Sequence, residues 1–149
     1  SGQHFTHVGG AATDVGAGGG KVWVIGEGGT TFRYTGQGAN PWQPIPGTAT
    51  RVAVDDKGNA WVVNAQKNIY HFSGQHFTHV GGAATDVGAG GGKVWVIGEG
   101  GSLFRYTGQG ANPWQHIPGV TGTRVGVDDK GNAWVTTADK KIYRYTSPQ

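Results

Sequence analysis

Residues 1–29, SGQHFTHVGGAATDVGAGGGKVWVIGEGG, recur without change as residues 73–101. Residues 32–43, FRYTGQGANPWQ, recur as 104–115 at the same offset of 72. Beyond these blocks the halves diverge modestly, IPGTATRVAVDDKGNAWVVNAQKNIYHF against IPGVTGTRVGVDDKGNAWVTTADKKIYRY. Internal repetition at a fixed period is the strongest single clue to architecture, so it governs the reading of the rest of the chain. The chain therefore divides into two 72-residue units, starting at 1 and 73.

Each unit is itself double. Val15, Trp23, Phe32-Arg33-Tyr34 and Trp42 align with Val52, Trp61, Tyr70-His71-Phe72 and Phe77. The series continues as Val87, Trp95, Phe104-Arg105-Tyr106 and Trp114, then Val125, Trp134 and Tyr143-Arg144-Tyr145. The true period is about 36 residues, present four times.

Within a period the pattern is that of short strands. Lys21-Val-Trp-Val-Ile25 is β-branched and aromatic, too short for a stable helix and apolar on both faces, as expected of a strand sandwiched between neighbours. Phe32-Arg33-Tyr34-Thr35 alternates, one face for packing and one more polar. Asp55-Asp56-Lys57-Gly58-Asn59 and Asp128-Asp129-Lys130-Gly131-Asn132 are turn sequences, replaced in the other two periods by glycine runs such as Gly18-Gly19-Gly20. Gly and Asn supply the positive φ that tight hairpins need. No window carries a capped helical period. Four short strands recurring at this spacing predict an all-β fold, a β-propeller with four four-stranded blades per chain. The inner strand is expected at Ala12–Ala17, the second around Trp23, the third around Phe32 and Tyr34, and the outer one around Trp42.

The ends are unequal. The fourth blade stops at Ile142–Thr146 without an outer strand, while the chain begins with His4–Val8, an outer strand without a blade that matches His76–Val80. The N-terminal strand is expected to complete the last blade, which would remove an open sheet edge. Whole chains tile a ring of four or eight blades but not six. The favoured assembly is a homodimer of eight blades, in which each N-terminal strand completes the partner's last blade. Inner-strand charges agree with an even ring: Asp14, Arg51, Asp86 and Arg124 occupy equivalent positions and alternate in sign. Pairing of Asp14 with Arg51, and of Asp86 with both Arg51 and Arg124, is the expectation.

Composition excludes several classes. Of 149 residues 30 are Gly and none is Cys, which removes disulfide frameworks, thiolate metal sites and thiol nucleophiles. The glycines lack the three-residue period of collagen. Six Trp, five Tyr and five Phe are too many for a disordered chain. No apolar run approaches the roughly 18 residues of a membrane helix, and no signal-like N-terminus is present. The net charge of +3 is dispersed along the chain, a weak basis for nucleic-acid binding. The chain starts at Ser1 without an initiator Met, as expected of a processed or excised segment with Ser1 as a cleavage scar.

Reactive motifs are suggested and fail. Gly16–Lys21 resembles a phosphate loop, but Val22 follows the lysine and the next element is a strand, not a helix. His4 and His7, like His76 and His79, sit at an odd offset, so on a strand they face opposite ways. His7, His79 and His116 are equivalent, but Pro44 takes the fourth position. The Asp-rich turns lack the alternating ligands and terminal Glu of a calcium loop. No nucleophile elbow or zinc-protease motif occurs. No cofactor, metal site or enzymatic activity is expected.

The chain resembles the tectonin-type propeller repeat. The matching residues are the Val-x-Val-Asp-x-x-Gly-x-x-Trp-Val runs at Val52–Val62 and Val125–Val135, the Ile-Tyr pairs Ile69-Tyr70 and Ile142-Tyr143, and Trp-Gln-x-Ile-Pro-Gly at Trp42–Gly47 and Trp114–Gly119. The resemblance implies a non-enzymatic propeller of a kind that commonly binds sugars through sites repeated around the ring. A sugar site needs an aromatic face with amides beside it; Asn40, Trp42 and Gln43, and again Asn112, Trp114 and Gln115, are the candidates, with glycans as the alternative partner. The familiar tectonin ring has six blades, which this chain does not tile. The identity of the two halves is closer than drift leaves natural repeats, pointing to an engineered, symmetrised or recently duplicated chain. The primary reading is a self-assembling repeat scaffold.

Overall fold

The computed structural model describes residues 4–146; Ser1 lies outside them. Strands β1 (Asp14–Gly18), β2 (Lys21–Ile25), β3 (Thr30–Tyr34) and β4 (Trp42–Thr48) form one antiparallel sheet in chain order. β5 (Arg51–Val54), β6 (Ala60–Val63), β7 (Asn68–Phe72) and β8 (Phe77–Ala83) form the second. β9 (Asp86–Gly90), β10 (Lys93–Ile97), β11 (Ser102–Tyr106) and β12 (Trp114–Thr121) form the third. β13 (Arg124–Val127), β14 (Ala133–Thr136) and β15 (Ile142–Arg144) form the fourth. The inner strands β1, β5, β9 and β13 pack side by side in that order. These are the four blades of a β-propeller.

Three details differ from the sequence expectation. The first inner strand runs from Asp14 to Gly18 rather than Ala12 to Ala17, because the turn that ends it sits at Gly19 and Gly20, both at positive φ. Single 3-10 turns occupy Glu27–Gly29 and Glu99–Gly101 where no helical element is expected. Among the described residues the fourth blade has three strands, and His4–Val8 is exposed and irregular rather than a strand beside β15. The N-terminal stretch leads into β1, and the first blade does not pack against the fourth as neighbouring blades pack.

The blades are held by small residues opposite large ones. In the β1–β2 ladder Gly16 faces Trp23, and Gly88 faces Trp95 in the β9–β10 ladder. Bare backbone here also lets neighbouring inner strands approach. A Cβ on Gly18 would stand 2.4 Å from the carbonyl oxygen of Val54 on the next blade. Each interface between blades is a separate apolar cluster. The first joins Trp23, Ile25 and Ile45 to Val52, Val54, Val62 and Phe72. The second joins Trp61, Val63 and Ile69 to Val87, Val94, Val96 and Trp114. The third joins Trp95, Ile97 and Leu103 to Val125, Ala133 and Val135.

Candidate functional site

The inner-strand charges lie beside one another. The Val52 amide donates to Asp14 Oδ2 at 2.8 Å, and the Val125 amide donates to Asp86 Oδ2 at the same distance. Arg124 Nε also donates to Asp86 Oδ2 at 3.1 Å. Arg51 stands 4.0 Å from both Asp14 and Asp86. The carboxylates thus tie each inner strand to the next, and Asp86, nearly buried, carries two arginines and an amide.

The outer-strand candidates are placed mainly by internal partners. Trp114 is buried; its indole N–H donates to the Gly81 carbonyl at 2.9 Å, and its ring lies against Tyr106 and edge-on to Trp61. Trp42 is half-buried and donates to the Gly9 carbonyl at 3.1 Å. Gln43 and Gln115 accept from Arg33 and Arg105, each at 3.0 Å. Asn40 and Asn112 are both exposed; Asn40 lines a cavity of about 310 Å³ with Trp42, Val24 and Phe32.

The turn aspartates act on their own backbone. Asp55 accepts from the amides of Lys57 and Asn59, and Asp128 from those of Lys130 and Asn132. Asp128 also accepts from the Trp134 indole at 2.9 Å; that bond, then the Asn132 amide, holds its carboxyl below the ordinary aspartate value. Among the described residues no group of three His, Asp or Glu side chains converges as a metal site would.

The array's two end faces stand apart from its interior. Trp23, Trp61 and Trp95 are 0%, 4% and 1% exposed, yet the equivalent Trp134 is 43% exposed. Val52, Val87 and Val125 are buried, yet the equivalent Val15 is 63% exposed. Ile142 and Tyr143 on the last blade are exposed as well. The first and fourth blades do not pack together as neighbouring blades do. Trp134 differs from its counterparts because no sheet covers its face. The repeat alignment alone does not distinguish them, since each exposed residue has buried counterparts at its own position.

Chain comparison places this geometry among known proteins. The tectonin domain model matches residues 11–91. No curated protein matches the chain by sequence. Among solved structures it resembles the computationally designed Ika4 protein, with TM-score 0.62 and 13% identity over 94% of this chain and 92% of that one. It also resembles streptogramin B lyase, with TM-score 0.59 and 16% identity over 91% of this chain and 54% of the other. YCF48 bound to D1 peptide gives TM-score 0.55 and 17% identity over 91% of this chain and 48% of the other. The chain therefore spans about half the length of the last two. At these identities the likeness concerns fold alone.

Proposed function

Because the chain belongs to the tectonin domain family, we propose that it is a non-enzymatic repeat scaffold whose two open faces close on a second copy to form an eight-bladed ring. The exposure of Trp134 against its buried counterpart Trp61 carries this reading. A fourth blade facing the first blade of another copy has both halves of an interface that already exists inside the chain. The second and third blades join through Trp61 beside Tyr106, Lys67 against Glu99 at 2.7 Å, and Arg51 near Asp86. At the open ends the equivalent residues are Trp134, Lys140 and Arg124 on one face, and Tyr34, Glu27 and Asp14 on the other. Ile69 lies 3.5 Å from a Cβ built on Gly82, beside Trp114. Its equivalent Ile142 would fill the cavity of Gly10 and Trp42 in the second copy.

The seam is somewhat less apolar than its internal pattern, since Gly126 and Thr136 stand where Ala53 and Val63 stand in the second blade. The internal commitment of the carboxylates, Asp86 to Arg51, Arg124 and the Val125 amide and Asp128 to its turn, supports a structural rather than catalytic use of the acids. Native mass measurement tests the assembly: two chains are expected, and a single-chain mass at micromolar concentration overturns it.

The cavity of Asn40 and Trp42, open in the single chain and filled by Ile142 in the ring, favours a second and competing reading, a carbohydrate site at the outer strands. Glycan-array binding that is lost in a Trp42→Ala, Trp114→Ala double mutant would favour it, whereas a folded ring that binds no glycan favours the scaffold.

A further inference from the structure

We infer that the open edge of the fourth blade is an acceptor site for an extended peptide of the form Phe-x-x-Val, that Phe5 of a second copy is its anchor, and that Leu103 and Val120 tune the socket. The identity of this occupant rests on the two-chain reading above; the site itself does not.

The chain contains a worked example of the docked strand. Residues 73–101 repeat residues 1–29, so Phe77 and Val80 on β8 are the counterparts of Phe5 and Val8. β8 pairs antiparallel with β7, Phe72 opposite Phe77, His71 opposite Thr78 and Tyr70 opposite His79. Phe77 turns into the first blade interface. Its ring centroid lies 6.0 Å from that of Trp23 and 5.4 Å from that of Phe72, both edge-on. A Cβ on Gly47 would stand 3.3 Å from it. Val80 instead packs against the second interface.

The same surroundings exist, unfilled, at the third interface. Trp95, Tyr145 and Gly119 replace Trp23, Phe72 and Gly47. Trp95 and Tyr145 keep the matching geometry at 5.0 Å, and Arg105 lies over both rings as Arg33 lies over Trp23 and Phe72. A Cβ on Gly119 meets nothing within 4 Å. A cavity of about 210 Å³ opens there, lined by Trp95, Leu103, Ile117, Gly119, Val120 and Tyr145. Phe5, meanwhile, is fully exposed. β-Strand addition of this kind draws affinity from main-chain hydrogen bonds and specificity from side-chain pockets. The expected register sets Phe5 opposite Tyr145, Thr6 opposite Arg144 and His7 opposite Tyr143.

The socket is also more apolar than its internal pattern. In the first blade Thr31 is buried and its hydroxyl donates to the Ile45 carbonyl at 2.9 Å. Leu103 takes that place in the third blade. The bulge beside it gains a residue: Thr30 pairs with Thr48 and Thr31 with Ile45, whereas Ser102 pairs with Thr121 and Leu103 with Ile117, and the extra residue is Val120. Phe77 reaches its pocket on a continuous chain. A strand arriving from another molecule has no tether, and added apolar contact offsets that loss of freedom.

The test uses the full chain. Dissociation constants of the two-chain species are measured by analytical ultracentrifugation for wild type, Phe5→Ala and Leu103→Thr. Fluorescence anisotropy follows a labelled GQHFTHVGGA peptide added to Phe5→Ala. Phe5→Ala leaves the single chain folded by circular dichroism, because Phe5 makes no internal packing, and weakens assembly roughly a hundredfold or more, the loss counting at two seams. Leu103→Thr, a residue the first blade tolerates at this position, weakens assembly about tenfold. The peptide saturates at one per chain, and the same peptide with Ala for Phe does not bind. If the wild type is a two-chain species but neither variant weakens it and the peptide does not bind, the anchor is overturned and the ring stands. A monomeric wild type whose Phe5→Ala variant takes up the peptide supports the acceptor site and overturns the ring. A monomer that takes up no peptide overturns both.

Discussion

Val15→Asp separates the interior of the array from its open face. Val15 is 63% exposed on β1, whereas its equivalent Val87 on β9 is 4% exposed against the second blade. In a single chain the new carboxylate at position 15 stays in water and the first blade keeps its fold. In the proposed two-chain ring it would be buried against the face that carries Trp134. An unpaired charge buried there costs on the order of 3 kcal/mol per seam. Two seams give about 6 kcal/mol, or roughly ten-thousandfold in the dissociation constant. Sedimentation velocity across a concentration series, with near-ultraviolet circular dichroism as the check on folding, reads this directly. The expected result is a folded monomer of Val15→Asp under conditions where the wild type is two chains. Val87→Asp, the same change in the interior, should instead unfold the chain. A Val15→Asp protein that keeps the wild-type assembly would refute the argument, since its side chain would then lie outside any seam.

Four further outcomes follow from the geometry. Trp134→Ala removes a ring with roughly 100 Å² still open to solvent, so it should weaken assembly by about 2.5 kcal/mol per seam while changing single-chain stability little beyond the lost Asp128 bond; urea titration and ultracentrifugation measure the two separately. Asp86→Ala strands the buried Val125 amide and should cost about 2–4 kcal/mol in chemical denaturation, with Asp14→Ala, at a more exposed carboxylate, costing less. Gly19→Ala should destabilise strongly, by about 3 kcal/mol or more, because a Cβ there stands 2.2 Å from the Gly58 amide nitrogen at φ +54°; Gly28→Ala, at φ +83° with open space, should cost only about 1 kcal/mol, as thermal melts would show. The Asp128 carboxyl is held low by Trp134 and the Asn132 amide; a lowered folded value means its contribution is present at neutral pH and lost as pH falls through that value. An NMR titration should place its midpoint below that of an ordinary aspartate, and Trp134→Phe should raise it.

Much of the blade was legible in the chain because strand periodicity is a local property. Lys21–Ile25 is β-branched, aromatic and short, and it is a strand wherever it occurs. The Asp-Asp-Lys-Gly-Asn turns carry their own caps, so Asp55 and Asp128 bond the amides that follow them without any help from the fold. The 3-10 turns at Glu27–Gly29 and Glu99–Gly101 left no periodic trace, since a single turn is shorter than any helical repeat. For the outer-strand candidates, residue type indicated an aromatic with amides nearby. It carried no sign that Gln43 and Gln115 accept from Arg33 and Arg105, or that Trp114 is closed over by Trp61.

The sequence by itself determined the repeat, the strand order within a blade and the unequal ends, because each depends on spacing along the chain. Only the tertiary structure decided which of the equivalent residues are covered. Trp61 and Trp134 share a motif, a turn and an indole bond to the preceding aspartate, yet one is buried and the other is not. The difference is the presence of a following sheet, and burial belongs to the neighbour as much as to the residue. For the same reason Phe5 and Phe77, identical in their surrounding sequence, differ completely in environment: Phe77 packs against Trp23 and Phe72, whereas Phe5 has no sheet beside it.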